Sequence, residues 1–327
     1  VIKRTIEISR EPAHLAVRQE QLLILRKRES DRSPLPAHPP NLAGSIPCED
    51  LGVVMVDSRE TTYSHHALAR LAEHGAAVVI CGQDHHPVAM CLPISTNTEL
   101  LARLDAQIGA SKPTLKRLWQ QIVIAKVAAQ AVALSPCGGE AVQQARRKIL
   151  SLARRVRSGD PDNVEAQAAA IYWPALFDGC DSVATPFRRA AGDRLARNPN
   201  SLLDYGYSAL RAAIARAIVA AGLLPALGIK HVGRSNPYCL ADDLMEPLRP
   251  LVDRRVRWLA QRGELELCQP VKAELLGVLT EEIGPHKSKG PLLVAVTRYV
   301  SSFVRVLTGE EETITIPAAG DGGDERA

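Results

Sequence analysis

The feature that constrains this chain most is a change of apolar spacing near residue 95. Before it, apolar residues come in short runs or alternate, as strands require. Ile2 to Ile8 alternates roughly with period two, and Leu22–Leu25, Val53–Val56 and Ala76–Ile80 are short apolar runs between polar or turn residues. One helix is expected at about 65–74, with Leu68, Leu71 and Ala72 on one face and Gly75 closing it. Ser33 to Ser45, with Pro34, Pro36, Pro39 and Pro40, is expected to be a long mobile loop.

After residue 95 the spacing becomes helical. Thr98 is a candidate N-cap, and Ser111 with Pro113 starts a helix running through Leu118, Ile122 and Val127 towards Ala133. Further helices are expected at about 140–157, 163–177, 200–221, 240–262, 270–282 and 290–307, with a loop over 178–198. The fold class is therefore α+β. A small β-sandwich-like domain with one helix (1–95) precedes a large all-α domain (96–308), and 309–327 forms an acidic flexible tail.

No apolar run nears the roughly 18 residues that span a bilayer, and the opening Val1–Thr5 lacks the apolar core of a signal peptide. Seven cysteines, none closer than ten positions to the next, give no CxxC motif. Reduced thiols and a cytoplasmic setting are expected, with no membrane partner.

The formal charge of +4 conceals a division. Residues 1–95 hold 10 basic and 11 acidic side chains, 309–327 hold 1 and 6, and the helical region between them holds 29 and 19. Arg146, Arg147, Lys148, Arg154, Arg155 and Arg157 fall on one expected helix, with Arg188, Arg189, Arg194 and Arg197 in the loop that follows. That density favours a polyanion over a merely solvated face. Trp119, Trp173 and Trp258 lie in apolar helix patterns and are read as core.

Asp243 and Glu246 in Asp242-Asp243-Leu244-Met245-Glu246 would share a helix face. They read either as a solvated first turn or as a pair that a cation would draw together. His231, in the loop just upstream, and Glu165, in the first turn of its helix, carry the same two readings. One imidazole and two carboxylates suit Mn²⁺ or Mg²⁺. His65-His66 with Asp84-His85-His86 is a second, weaker cluster. GxxxxGK[ST], GxSxG, HExxH and GxGxxG are all absent, which argues against P-loop hydrolysis and serine hydrolase chemistry.

Longer motifs say more. Asn200-Ser201-Leu202-Leu203-Asp204-Tyr205-Gly206-Tyr207, Gly222 to His231, and Leu240-Ala241-Asp242-Asp243-Leu244-Met245-Glu246-Pro247-Leu248-Arg249-Pro250-Leu251-Val252-Asp253 closely resemble the CRISPR-associated integrase/endonuclease of spacer acquisition, in its type II form. Gly159 to Ala169 resembles that family's first active-site helix, and Lys3–Ser9 and Ile46–Val53 resemble its N-terminal domain. The resemblance implies a metal-dependent DNA endonuclease and integrase that inserts short foreign DNA into the CRISPR array by 3′-OH attack on repeat phosphodiesters. It implies Glu165, His231 and Glu246 as ligands of Mn²⁺ or Mg²⁺, with Asp243 as a further catalytic carboxylate and Asn200 and Tyr205 as active-site neighbours. Double-stranded DNA would lie on Arg146, Arg147, Arg154, Arg155, Arg188 and Arg189.

Expected partners are prespacer and repeat DNA, a second copy in a homodimer, a small second CRISPR-associated protein bridging two dimers, and the type II effector nuclease. Thr313-Ile314-Thr315-Ile316 is a candidate strand for docking on that small protein. Two other functions remain open at this point: a non-catalytic DNA-binding scaffold, and a general metal-dependent nuclease that never joins DNA.

Overall fold

The alternating and short apolar runs of the first region resolve into strands in a computed structural model that describes residues 3–9, 11–26, 40–94, 97–134, 138–192, 197–284 and 289–318. The chain divides into two compact units, Val1–Ile94 and Ser95–Ala327.

In the first unit, β1 (Arg4–Ile8), β5 (Leu51–Val56), β7 (Ala77–Cys81) and β8 (Pro87–Cys91) form one sheet in that order. The first three are parallel and β8 is antiparallel. A second sheet is ordered β4 (Leu42–Pro47), β3 (Gln21–Arg26), β2 (Ala13–Arg18), β6 (Thr62–Tyr63). Ile8, Val54 and Val78 of one sheet share a buried core with Leu15 and Leu22 of the other and with Leu71 of α1 (His65–Glu73). β5 is buried at every position, which is why it reads as an unbroken apolar run.

One turn of this unit lacks its usual sequence signal, and one expected loop ends in a strand. The hairpin from β2 to β3 turns on Gln19 and Glu20, at φ of 47° and 61°. Those angles suit a primed turn without its usual Gly or Asn. β4 begins at Leu42, so the end of the expected proline-rich loop is a strand paired to β3; residues 33–39 lie outside the described residues.

The second unit is helical: α2 (Leu100–Ile108), α3 (Lys112–Ala133), α4 (Glu140–Ala153), α5 (Val164–Leu176), α6 (Pro199–Ala220), α7 (Cys239–Met245), α8 (Arg249–Gln261), α9 (Gln269–Gly277) and α10 (Leu292–Leu307). A minor pair, β9 (Glu282–Ile283) with β10 (Gly290–Pro291), precedes α10. Ser111 caps α3 by accepting from Thr114 N, whereas α2 starts after Glu99 without a side-chain cap, so Thr98 does not serve as one. α6 is buried almost all round and forms the axis of the unit. Gly206 lets α8 approach it, since a Cβ there would stand 2.4 Å from Val252 Cγ1.

The helix expected over 240–262 is broken. A turn of 3₁₀ helix, Glu246–Leu248, separates α7 from α8 because Pro247 and Pro250 remove backbone donors. The helix expected to reach residue 157 stops at Ala153, which places Arg154, Arg155 and Arg157 beyond its end. Trp258 is 41% exposed on α8 beneath Arg262, so it is a surface residue and not core.

The tail boundary at 309 also needs correction. Ile314 is buried, its N–H donates to Gln121 Oε1 at 2.8 Å, and Thr315 N donates to Ser302 Oγ at 2.9 Å. Residues 310–318 thus pack against α3 and α10, and Thr313–Ile316 is no strand. Two of its donors are already spent within the chain. The remainder, 319–327, lies outside the described residues.

Candidate functional site

The polar centre of the helical unit is assembled from α3, α5, the loop after α6, and the break between α7 and α8. Glu165 is set by the Gly159–Asp162 turn that precedes α5. Asp160, at φ 48°, accepts from Val164 N (2.8 Å) and Glu165 N (3.1 Å), satisfying the first donors of α5 and holding Glu165 in its opening turn. Glu246 sits at the proline break with a side chain only 4% exposed.

Both carboxylates meet one cation. Lys126 Nζ, from α3, is 2.5 Å from Glu165 Oε1 and 2.5 Å from Glu246 Oε2. Arg249 takes the other oxygen of Glu246, Oε1, at 3.0 Å. Burial opposes the charge on Lys126, yet Glu246 and Glu165 outweigh it and hold its pKa above the ordinary lysine value. Burial likewise pushes Glu246 up, but Arg249 and then Lys126 bring it below the usual carboxylate value. Glu246 Oε2 is in ionic contact with the ammonium and otherwise accepts no well-directed hydrogen bond.

His231 is held from behind. Its Nδ1 donates to Asp243 Oδ1 at 2.5 Å, and Asp243 Oδ2 also accepts from Ile229 N (2.6 Å) and Lys230 N (2.9 Å). Gly228 makes that loop possible: a Cβ there would lie 2.3 Å from His231 O and 2.9 Å from Asp243 Oδ2. The Asp243 hydrogen bond raises the His231 pKa, against a smaller opposing effect of burial. The ring meets Trp119 edge-on at 6.0 Å between centroids. With Nδ1 committed, Nε2 is the nitrogen left to face a ligand.

The geometry separates the sequence-derived residues. Glu165 and Glu246 converge, while Asp243 is wholly buried and saturated by His231 and the loop backbone, so it positions His231 and is not itself an open ligand. Among the described residues, no three His, Cys, Asp or Glu side chains stand together at metal-ligand spacing; Glu165 and Glu246 meet on Lys126 instead. The donor set still fits a divalent ion: two carboxylates already gathered on one positive charge, one buried oxygen without a directed donor, and an imidazole oriented by a carboxylate.

Asn200 Oδ1 accepts from Arg189 and from Ala190 N, tying the 186–192 loop to α6, and Tyr205 is fully buried. Arg189 is committed to Asp204 and Asn200 and lies over Tyr207, which makes it a tether of that loop and corrects its reading as a DNA contact. Arg146 is half-buried and donates to Ala131 O, and Arg147 pairs with Glu140. Arg154, Arg155 and Arg188 are exposed; Arg194 lies outside the described residues.

In the first unit, His85 donates to buried Asp57 at 3.0 Å, which gives His85 a structural partner, while His65 and His66 are exposed. Lys126, Arg249 and Asp253 were not singled out from sequence. The one available signal was that Lys126 is the sole charged residue between Arg117 and Ala133.

A family model for CRISPR associated protein Cas1 matches residues 6–283, a span that contains every residue just described except the C-terminal segment. The chain belongs to the Cas1 family. It is 37% identical over 295 residues to the CRISPR-associated endonuclease Cas1 of Neisseria meningitidis serogroup C (strain 8013), covering 88% of this chain and 87% of that one. Among solved structures, it is similar in fold to a casposase bound to integration product, at TM-score 0.74 and 20% identity, over 99% of this chain and 96% of that one. It is also similar to a Cas6-RT-Cas1–Cas2 complex, at TM-score 0.70 and 17% identity, over 95% of this chain and 35% of that one. The α+β arrangement of a β-rich unit followed by a helical one is thus the arrangement of the Cas1 fold. Among the described residues no helix is long and apolar enough to cross a membrane.

Proposed function

We propose that this chain is a metal-dependent DNA endonuclease and integrase that joins short foreign DNA to the CRISPR array. The relative named as a CRISPR-associated endonuclease and the fold likeness to a casposase bound to integration product support the class of reaction. The observation that carries the reading is the meeting of Glu165 and Glu246 on one cation, each 2.5 Å from Lys126 Nζ.

Glu165, Glu246 and His231 Nε2 would hold Mn²⁺ or Mg²⁺. Such an ion shields phosphate charge and favours both the attacking and the leaving oxygen. The chain's own residues do the positioning. Asp160 fixes the start of α5 under Glu165, Arg249 holds Glu246 by Oε1, and Asp243 fixes the His231 ring. Exposed Arg154, Arg155 and Arg188 would bind duplex phosphates. Homodimerisation and pairing with a small second CRISPR-associated protein complete the assembly, in line with a Cas1–Cas2 complex among the fold neighbours. The type II effector nuclease is the further partner that the type II motifs suggest.

The test is an integration assay with labelled prespacer and a plasmid carrying the repeat. Wild type is expected to join the two with Mn²⁺ and to fail in chelator. E246A is expected to lose joining by at least a hundredfold while still binding DNA. Joining in chelator would remove the metal mechanism. Binding without joining would favour the scaffold, and cutting without joining the general nuclease.

A further inference from the structure

We propose that Lys126 is the resident counter-cation of this site, competing with a divalent ion for Glu165 and Glu246 and so setting how tightly that ion is held. The inference rests on the metal reading above. Three elements meet on the one ammonium: α3 supplies Lys126, α5 supplies Glu165, and the α7–α8 break supplies Glu246, with both contacts at 2.5 Å. Two carboxylates brought this close repel, and the buried one is costly to leave without a partner. Lys126 therefore keeps the pair converged.

The nature of the contact matters. Glu246 Oε2 meets the ammonium at 2.5 Å as an ion pair, so charge dominates the contact. A divalent ion offers the same oxygen twice the charge. Arg249, the other cation on Glu246, cannot fill the same role. It binds the opposite oxygen, and its guanidinium is held 4.8 Å from the centre of the Tyr207 ring. Lys126 instead reaches its partners on a flexible four-carbon stem. The Glu165 side of the contact is open to solvent, at 24% side-chain exposure. An ion entering from that side takes the oxygens that Lys126 holds, and the ammonium must withdraw.

The experiment measures Mn²⁺ binding by isothermal titration calorimetry, and melting in chelator, on the full chain and its K126M, K126Q and E246Q variants. K126M and K126Q are expected to melt below wild type in chelator. Both are expected to bind Mn²⁺ on the order of tenfold more tightly and to gain more in Tm at saturation. K126Q retains a polar head and serves if K126M does not fold. If both variants bind Mn²⁺ no more tightly than wild type while E246Q has lost binding, the competition is refuted and the metal reading stands. If wild type does not bind Mn²⁺ at all, the metal reading falls and this inference with it.

Discussion

Asp243 is fully buried and reaches the site only through His231 and its loop. Its two oxygens divide the work: Oδ1 takes His231 Nδ1, and Oδ2 takes the amides of Ile229 and Lys230. Asn in its place could still accept from the loop, but its amide would present a donor where Nδ1–H needs an acceptor, or lose one of the other bonds. D243N is therefore expected to lower both Mn²⁺ affinity and strand transfer by roughly 10–100-fold, the usual cost of removing a histidine's supporting carboxylate. Unchanged values in both measurements would show that the ring is held by something else. Asp242, one position away, pairs instead with Arg211 and accepts from Asn236. The register that separates these neighbours was readable only through the longer motif, since both positions suit an acidic first turn.

Around the site, α5, α6 and α8 are joined by a buried polar cluster. Asp253 of α8 accepts from Tyr172 of α5 at 2.8 Å and from Tyr207 of α6. Burial pushes its carboxyl up to about 6, against the lowering effects of both tyrosine hydroxyls, Arg249 and Lys126. Between the ordinary carboxylate value and about 6, the folded chain holds a proton that the unfolded chain has lost. This group therefore favours folding most at low pH, and its contribution falls as pH rises through that window, by about 3 kcal/mol in all. In denaturant titrations from pH 4 to pH 7, wild type is expected to lose stability relative to D253N by that order. A pH-independent difference would contradict the assignment.

Element starts and stops were legible where local chemistry is decisive, as at Ser111 before α3 and Gly75 after α1. They were not legible where tertiary packing holds an unusual local choice. Gln19 and Glu20 make a primed turn without the residues that advertise one, and Asp160 caps α5 from a left-handed conformation. The prolines at 247 and 250 were visible, but the helix pattern ran across them; the break they cause is what places Glu246.

For the whole molecule, the sequence reading found the two-part organisation and the family, because a period change and long motifs survive any local error. It could not find Lys126, whose importance lies in two carboxylates 39 positions and more away in sequence. It also overcounted free cations: Arg189 proves to be a loop tether, and Arg147 and Arg157 are paired with Glu140 and Asp162. What remains is a helical unit with a basic excess in which two carboxylates meet on one ammonium.

α3, α5 and the α7–α8 break would build a single cation site that a divalent ion can take over. Anomalous diffraction at the manganese edge, on crystals of the full chain grown with Mn²⁺, tests it most directly. One strong peak is expected, bonded to Glu165, Glu246 and His231 Nε2, with the Lys126 ammonium displaced from between the carboxylates. A peak elsewhere, or none while Lys126 still bridges Glu165 and Glu246, would contradict it.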